Sequence, residues 1–169
     1  MDVILALDPG KRTGVALGVP GARPVLSVVN FARTHDGPED IFACTLETDK
    51  PTLLAIEAPI PPSQKAGLTN FDTTLIAIGL SAIFRGAARE RSIPIKLAPI
   101  GSWRKYVLGC GNLKGADAKA GMVRLCRGLG WGDVDHNAAE AAGIWLYACA
   151  LTAPKMVCRH EPLFSGAAV

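Results

Sequence analysis

Val3 to Leu7 form an unbroken apolar run, partly β-branched, that ends on a carboxylate at Asp8. Such a run predicts a strand covered on both faces over residues 3–8. Thr13 to Val19 and Pro24 to Phe31 repeat the apolar bias across short Gly- and Pro-rich links, predicting a second and a third strand paired antiparallel. Pro38 with Glu39 and Asp40 then marks a helix start, and Ile41, Phe42, Thr45 and Leu46 make one face. "PTLLAIEAP" is a fourth, buried strand ending at Glu57. A longer helix is predicted from Phe71 to Arg91, with Leu75, Ile76, Ile78, Ile83 and Phe84 facing inward. "IPIKLAP" is a fifth strand, followed by a basic loop, a helix over Ala116–Gly128 and a last helix over Asn137–Leu151.

This order predicts an α/β fold: a mixed five-stranded sheet with helices on both faces. A right-handed crossover places the first and fourth strands side by side. Asp8 and Glu57 then end neighbouring strands. Asp-Pro-Gly is also ordinary turn chemistry, and a strand-terminal Glu is often only a solvated end. The last helix adds a third acid. It is apolar nearly all round and therefore buried, yet Glu140 sits in its second turn with no Lys or Arg three or four positions away. A buried carboxylate needs a partner. The candidates are a metal ion and a distant base. Asp135, His136 and Asn137 at the helix entrance each suit the N-cap, and His136 shares a face with Glu140.

Composition narrows the classes. The chain has 169 residues, 49% hydrophobic and 20% charged, which suits one folded domain. That domain is expected over residues 1–153, with 154–169 as a loosely held tail. No apolar run reaches roughly 18 residues, so no membrane span is expected. The N-terminus lacks the basic region of a signal peptide, and the five scattered cysteines include no CxxC spacing. A cytoplasmic protein with reduced thiols is expected.

The net charge of +3 hides an asymmetry. Arg85 to Arg127 carries ten bases and two acids, while the rest of the chain is net acidic. A one-sided basic region suits a polyanion. Converging carboxylates repel unless a cation joins them, and all-oxygen ligands favour Mg²⁺ or Mn²⁺. A pair of such ions suits phosphodiester cleavage.

The chain resembles the RuvC-type Holliday junction resolvases of the RNase H-like superfamily, particularly their compact phage-like members. "LALDPGKRTGVAL" is similar to the family's first hairpin, "LLAIEAP" to its fourth-strand motif, "APIGSWRKYVLGCGNLKGADAKAGMV" to its basic segment, and "DVDHNAAEAAGIWLYA" to its final helix. The resemblance covers residues 2–150. It implies a metal-dependent endonuclease that resolves four-way DNA junctions as a homodimer, with two Mg²⁺ or Mn²⁺ ions per site. It implies Asp8, Glu57 and Glu140 as metal ligands. Glu140 stands where the family usually has Asp, and Asn137 stands where many relatives place Asp or His. The fourth ligand's role is thereby left to Asp135 or His136, or to neither. Lys114 and Lys119 match basic positions that approach DNA, with Arg104 and Lys105 in the same segment. Trp103 and Tyr106 either wedge against bases at the branch point or pack in the core. Gly79, Ala82 and Gly86 recur at helical spacing and offer a close approach for a second copy or for the chain's own sheet. The alternatives are a YqgF-type RNase H-like ribonuclease and a non-catalytic nucleic-acid-binding module.

Overall fold

The structure, a computed structural model, describes residues 2–31, 33, 36–60 and 71–152. The tail expected at 154–169 lies outside them. Three strands come first: β1 (Ile4–Asp8), β2 (Arg12–Gly18) and β3 (Val25–Asn30). Then follow α1 (Pro38–Asp49), β4 (Leu53–Glu57), α2 (Phe71–Glu90) and β5 (Ile95–Ala98). The chain closes with α3 (Ile100–Leu108), α4 (Gly115–Gly128) and α5 (His136–Thr152).

The five strands lie in the order β3-β2-β1-β4-β5. The β1–β2 and β2–β3 pairs are antiparallel, and β1–β4 and β4–β5 are parallel. This is the expected mixed sheet, with β1 at its centre and β4 beside it.

Strand periodicity divides the core. Leu5, Leu7, Leu54 and Ile56 face α1 and α2, where Phe42, Leu46, Leu80 and Phe84 cover them. Ile4, Ala6, Ala16, Ala55 and Ala98 face the other way, toward α3, α4 and α5. The small side chains on that face let α5 lie close on β1 and β2. Its own Ala139, Ala141, Ala142 and Ile144 are fully buried. The approach is tightest at Gly14, where a Cβ would collide with the backbone carbonyl of Asn137.

Two expectations are corrected. The basic loop after β5 is a helix, α3, opened by Pro99 at its N-cap and closed by Gly109 at φ 75°. Its single buried side chain, Trp103, is too sparse a signal for helical periodicity. On α2, Leu75 and Ile83 do not face inward; they are 50% and 36% exposed. The helix buries Thr74, Leu80, Ser81, Phe84 and Ala88 instead, an i, i+3, i+4 stripe displaced from the most apolar positions.

Candidate active site

Asp8 and Glu57 are the last residues of β1 and β4. The parallel register pairs Leu7 with Ile56, so the two carboxylates leave adjacent strand ends on the same sheet edge. Ligand sites of open α/β sheets form beyond such carboxyl ends. Glu140 reaches this edge from the second turn of α5 and is 5% exposed. Among the described residues it is the least exposed acid.

α3 supplies the partners. Trp103 is completely buried, and its indole Nε1 donates a hydrogen bond to Glu57 Oε2 at 3.0 Å. The next residue, Arg104, donates from Nη2 to Glu140 Oε1 at 2.8 Å. Lys119 of α4 places its Nζ 4.0 Å from Glu140 Oε2. The distant base anticipated as an alternative partner for Glu140 is therefore present, 36 residues away in sequence.

Asp8 records the field of the cluster. Burial, then the negative charges of Glu57 and Glu140, push its carboxyl well above the ordinary range, and Lys119 and Arg104 only partly offset them. A carboxyl whose proton affinity is raised by two neighbouring carboxylates, with oxygen donors only, offers the donor chemistry of a hard divalent cation. The residues fit such an ion in kind and in place. Among the described residues, however, no three His, Cys, Asp or Glu side chains form a ready-made metal site. Glu57 is turned toward Trp103 and Glu140 toward Arg104.

The other expected site residues stand apart. Asp135 is the N-cap of α5: its Oδ1 accepts from the Asn137 backbone N–H at 2.9 Å and from the Asn137 amide at 3.0 Å. Its Oδ2 accepts from Arg12 Nη2 at 2.6 Å, which ties the start of β2 to the start of α5. Burial alone would raise the Asp135 carboxyl, but the Asn137 N–H, Arg12 and His136 together hold it below the usual range. His136 is exposed at the first position of α5. Lys114 is the exposed N-cap residue of α4, and Lys105 is exposed on α3. Trp103 is core and not a base wedge, whereas Tyr106 is 47% exposed and packs edge-on against Tyr147.

Sequence reasoning misses the residues that hold the acids: Trp103 on Glu57, Arg104 on Glu140 and Arg12 on Asp135. The adjacent Trp-Arg pair is visible in the sequence, but only the α3 turn shows that its two side chains reach two different acids. Cys126 and Cys149 are inert, since burial pushes their thiols up to about 11 and about 12.

No protein-family model matches the chain, and no curated protein matches it. Solved structures do. RuvC of Thermus thermophilus superposes with a TM-score of 0.62 at 17% identity, covering 88% of this chain and 95% of that one. The same protein in complex with a Holliday junction substrate gives 0.66 at 18% identity, with coverage of 89% and 95%. The chain has the RuvC fold. Yeast mitochondrial Holliday junction resolvase Ydc2 gives 0.57 at 18% identity, covering 85% of this chain and 75% of that one. At these identities the shared property is the RuvC fold, and the case for individual residues rests on the geometry of the site.

Proposed function

We propose that this chain is a divalent-metal-dependent, structure-selective endonuclease that cuts phosphodiester bonds in branched DNA, with the four-way junction as its preferred substrate. One observation carries the reading. Asp8, Glu57 and Glu140 meet at one sheet edge beside Arg104 and Lys119, in a fold shared with a RuvC solved on a Holliday junction.

Asp8, Glu57 and Glu140 would hold Mg²⁺ or Mn²⁺, in a site of two ions. Bound there, the ions would supply an activated water and charge stabilisation for the leaving oxygen. The chain's own groups do the rest. Trp103 fixes one Glu57 oxygen, so the carboxylate presents a defined face. Lys119, 44% exposed at its side chain, faces both the acids and solvent, where a phosphate would approach. Lys105 and Lys114 extend the positive surface for the DNA backbone. Asp135 and His136, about one turn before Glu140 in the chain, remain the candidates for a fourth ligand. Asp135 would have to leave Arg12 and its cap to serve, whereas His136 is exposed.

The functional unit is a homodimer, because a junction presents symmetric strands to cut. Leu75 and Ile83 lie exposed on α2, and a Cβ at Gly79 or Gly86 would meet nothing within 4 Å. This open, apolar helix face suits a second copy. Among the described residues no helix is long and apolar enough to cross a membrane. We place the nuclease domain at residues 1–153 and its action in the cytoplasm.

The test is cleavage of end-labelled four-way junction, splayed arm, duplex, RNA–DNA hybrid and single strand, with Mg²⁺ or with EDTA. Metal-dependent cutting of the junction above all others supports the proposal. Cutting of the hybrid alone would assign the chain to RNA. Binding without cutting in Mg²⁺ and Mn²⁺ would make it a binding module.

A further inference from the structure

Glu140 is held by cations of the protein itself. Arg104 pairs with its Oε1 at 2.8 Å, and the two side chains are only 11% and 6% exposed. Arg104 also lies over the ring of Trp103, with its guanidinium carbon 5.2 Å from the centroid. The arrangement is incompletely satisfied, because the Arg104 Nε is buried and has no hydrogen-bond partner among the described residues. A buried donor without an acceptor is costly, and a native structure that keeps one invites an explanation.

Charge supplies that explanation. Asp8, Glu57 and Glu140 raise the local negative potential, and Arg104 is the least exposed cation that answers it. A divalent ion entering the same cluster would repel the guanidinium and compete with it for Glu140. Glu140 as placed accepts only from Nη2, whereas a DNA phosphate could accept from the planar fork bidentately, Nε included.

We propose that Arg104 is a displaceable counter-ion, which occupies Glu140 in the DNA-free protein and leaves it for a backbone phosphate when DNA binds. Glu140 is thereby released to the metal only when substrate is present. The inference rests on the reading of Asp8, Glu57 and Glu140 as the metal site. It makes metal and DNA binding mutually reinforcing, because coupling between sites is reciprocal.

Calorimetric titration of Mn²⁺ into the DNA-free full chain tests it, using wild type, Arg104→Met, Arg104→Lys, Lys119→Met and Asp8→Asn. Arg104→Met keeps much of the aliphatic stem over Trp103 and removes the charge. It is expected to bind Mn²⁺ at least about fivefold more tightly than wild type. Arg104→Lys should fall between them, and Lys119→Met should gain less than Arg104→Met. In a Glu140→Gln background the Arg104→Met gain should disappear. With Ca²⁺ as the probe ion, four-way junction DNA should tighten ion binding by wild type more than by Arg104→Met. Unchanged or weaker Mn²⁺ binding by Arg104→Met, with a cooperative melt, would overturn the inference. So would equal tightening by DNA in both proteins. Should Arg104→Met not fold, Arg104→Lys decides on the same criterion. The two readings fail separately. If Asp8→Asn binds Mn²⁺ as well as wild type does, or if no protein binds it, the metal site itself is wrong. If Asp8→Asn loses Mn²⁺ and Arg104→Met gains nothing, only the counter-ion is wrong.

Discussion

Asp8 is where strain and chemistry meet at the scale of a residue. Its carboxyl is raised by burial and by Glu57 and Glu140, so the folded, metal-free chain holds this proton to higher pH than the unfolded chain does. The sign follows: stability from this group is complete below the ordinary carboxylate pKa and is lost as pH rises through the raised value. Asp8→Asn should therefore melt above wild type at neutral pH in EDTA, and the difference should close as the pH is lowered toward about 4. The same variant should lose cleavage with its fold intact; full activity would remove Asp8 from the mechanism. Trp103 gives a second prediction. It is completely buried and donates to Glu57, and Trp103→Phe should lower metal affinity or activity about 10–100-fold, as loss of a ligand's hydrogen-bond partner does. A variant with wild-type Mn²⁺ affinity and rate would show that the indole serves only packing. Asp8, Glu57 and Glu140 are legible in the sequence because each breaks an apolar pattern. Their partners are not, because a Trp or Arg in a short amphipathic stretch looks the same whether it meets a carboxylate or solvent.

At the scale of elements, β1, β4 and α5 act as a rigid frame, and the sequence shows them well because they are buried and apolar. The frame depends on close approach. Gly14→Ala would drive a methyl into the Asn137 carbonyl at the start of α5 and should cost about 1–3 kcal/mol in urea unfolding. Unchanged stability would mean that β2 and α5 are not locked at that point. α3 reads as a loop in the sequence because its nine residues bury one side chain, too few for a period to emerge. α2 misleads in the opposite sense. Leu75 and Ile83 have the apolar character of core residues, but the helix turns Thr74 and Ser81 inward and leaves them outside. An exposed apolar face and a core face share one composition, so periodicity alone does not separate them. Gly79→Leu or Gly86→Leu should weaken dimer formation in light scattering while leaving the melt of the protomer nearly unchanged. A wild-type protein that stays monomeric at micromolar concentration, alone and on a junction, would contradict the dimer.

Charge is unevenly distributed along the chain, with ten of its eighteen Lys and Arg residues between Arg85 and Arg127. This segment spans the end of α2, β5, α3 and α4, and it brings Arg104 and Lys119 to the acids. Phosphate contacts give affinity without sequence information, so on the proposed function selectivity has to come from the shape of the DNA. Lys114→Ala and Lys105→Ala should each weaken junction binding and lower the slope of log affinity against log salt by about one for every phosphate no longer neutralised. An unchanged slope would place those lysines off the DNA. The central claim is that Asp8, Glu57 and Glu140 form one metal-dependent centre that cuts branched DNA. The most direct measurement is the single-turnover rate of four-way junction cleavage in Mg²⁺ for wild type and Glu140→Gln, with linear duplex alongside. The account predicts cutting of the junction and not the duplex by wild type, and none by a folded Glu140→Gln variant that still binds the junction. Equal cleavage by Glu140→Gln, or equal cleavage of duplex and junction, would contradict it.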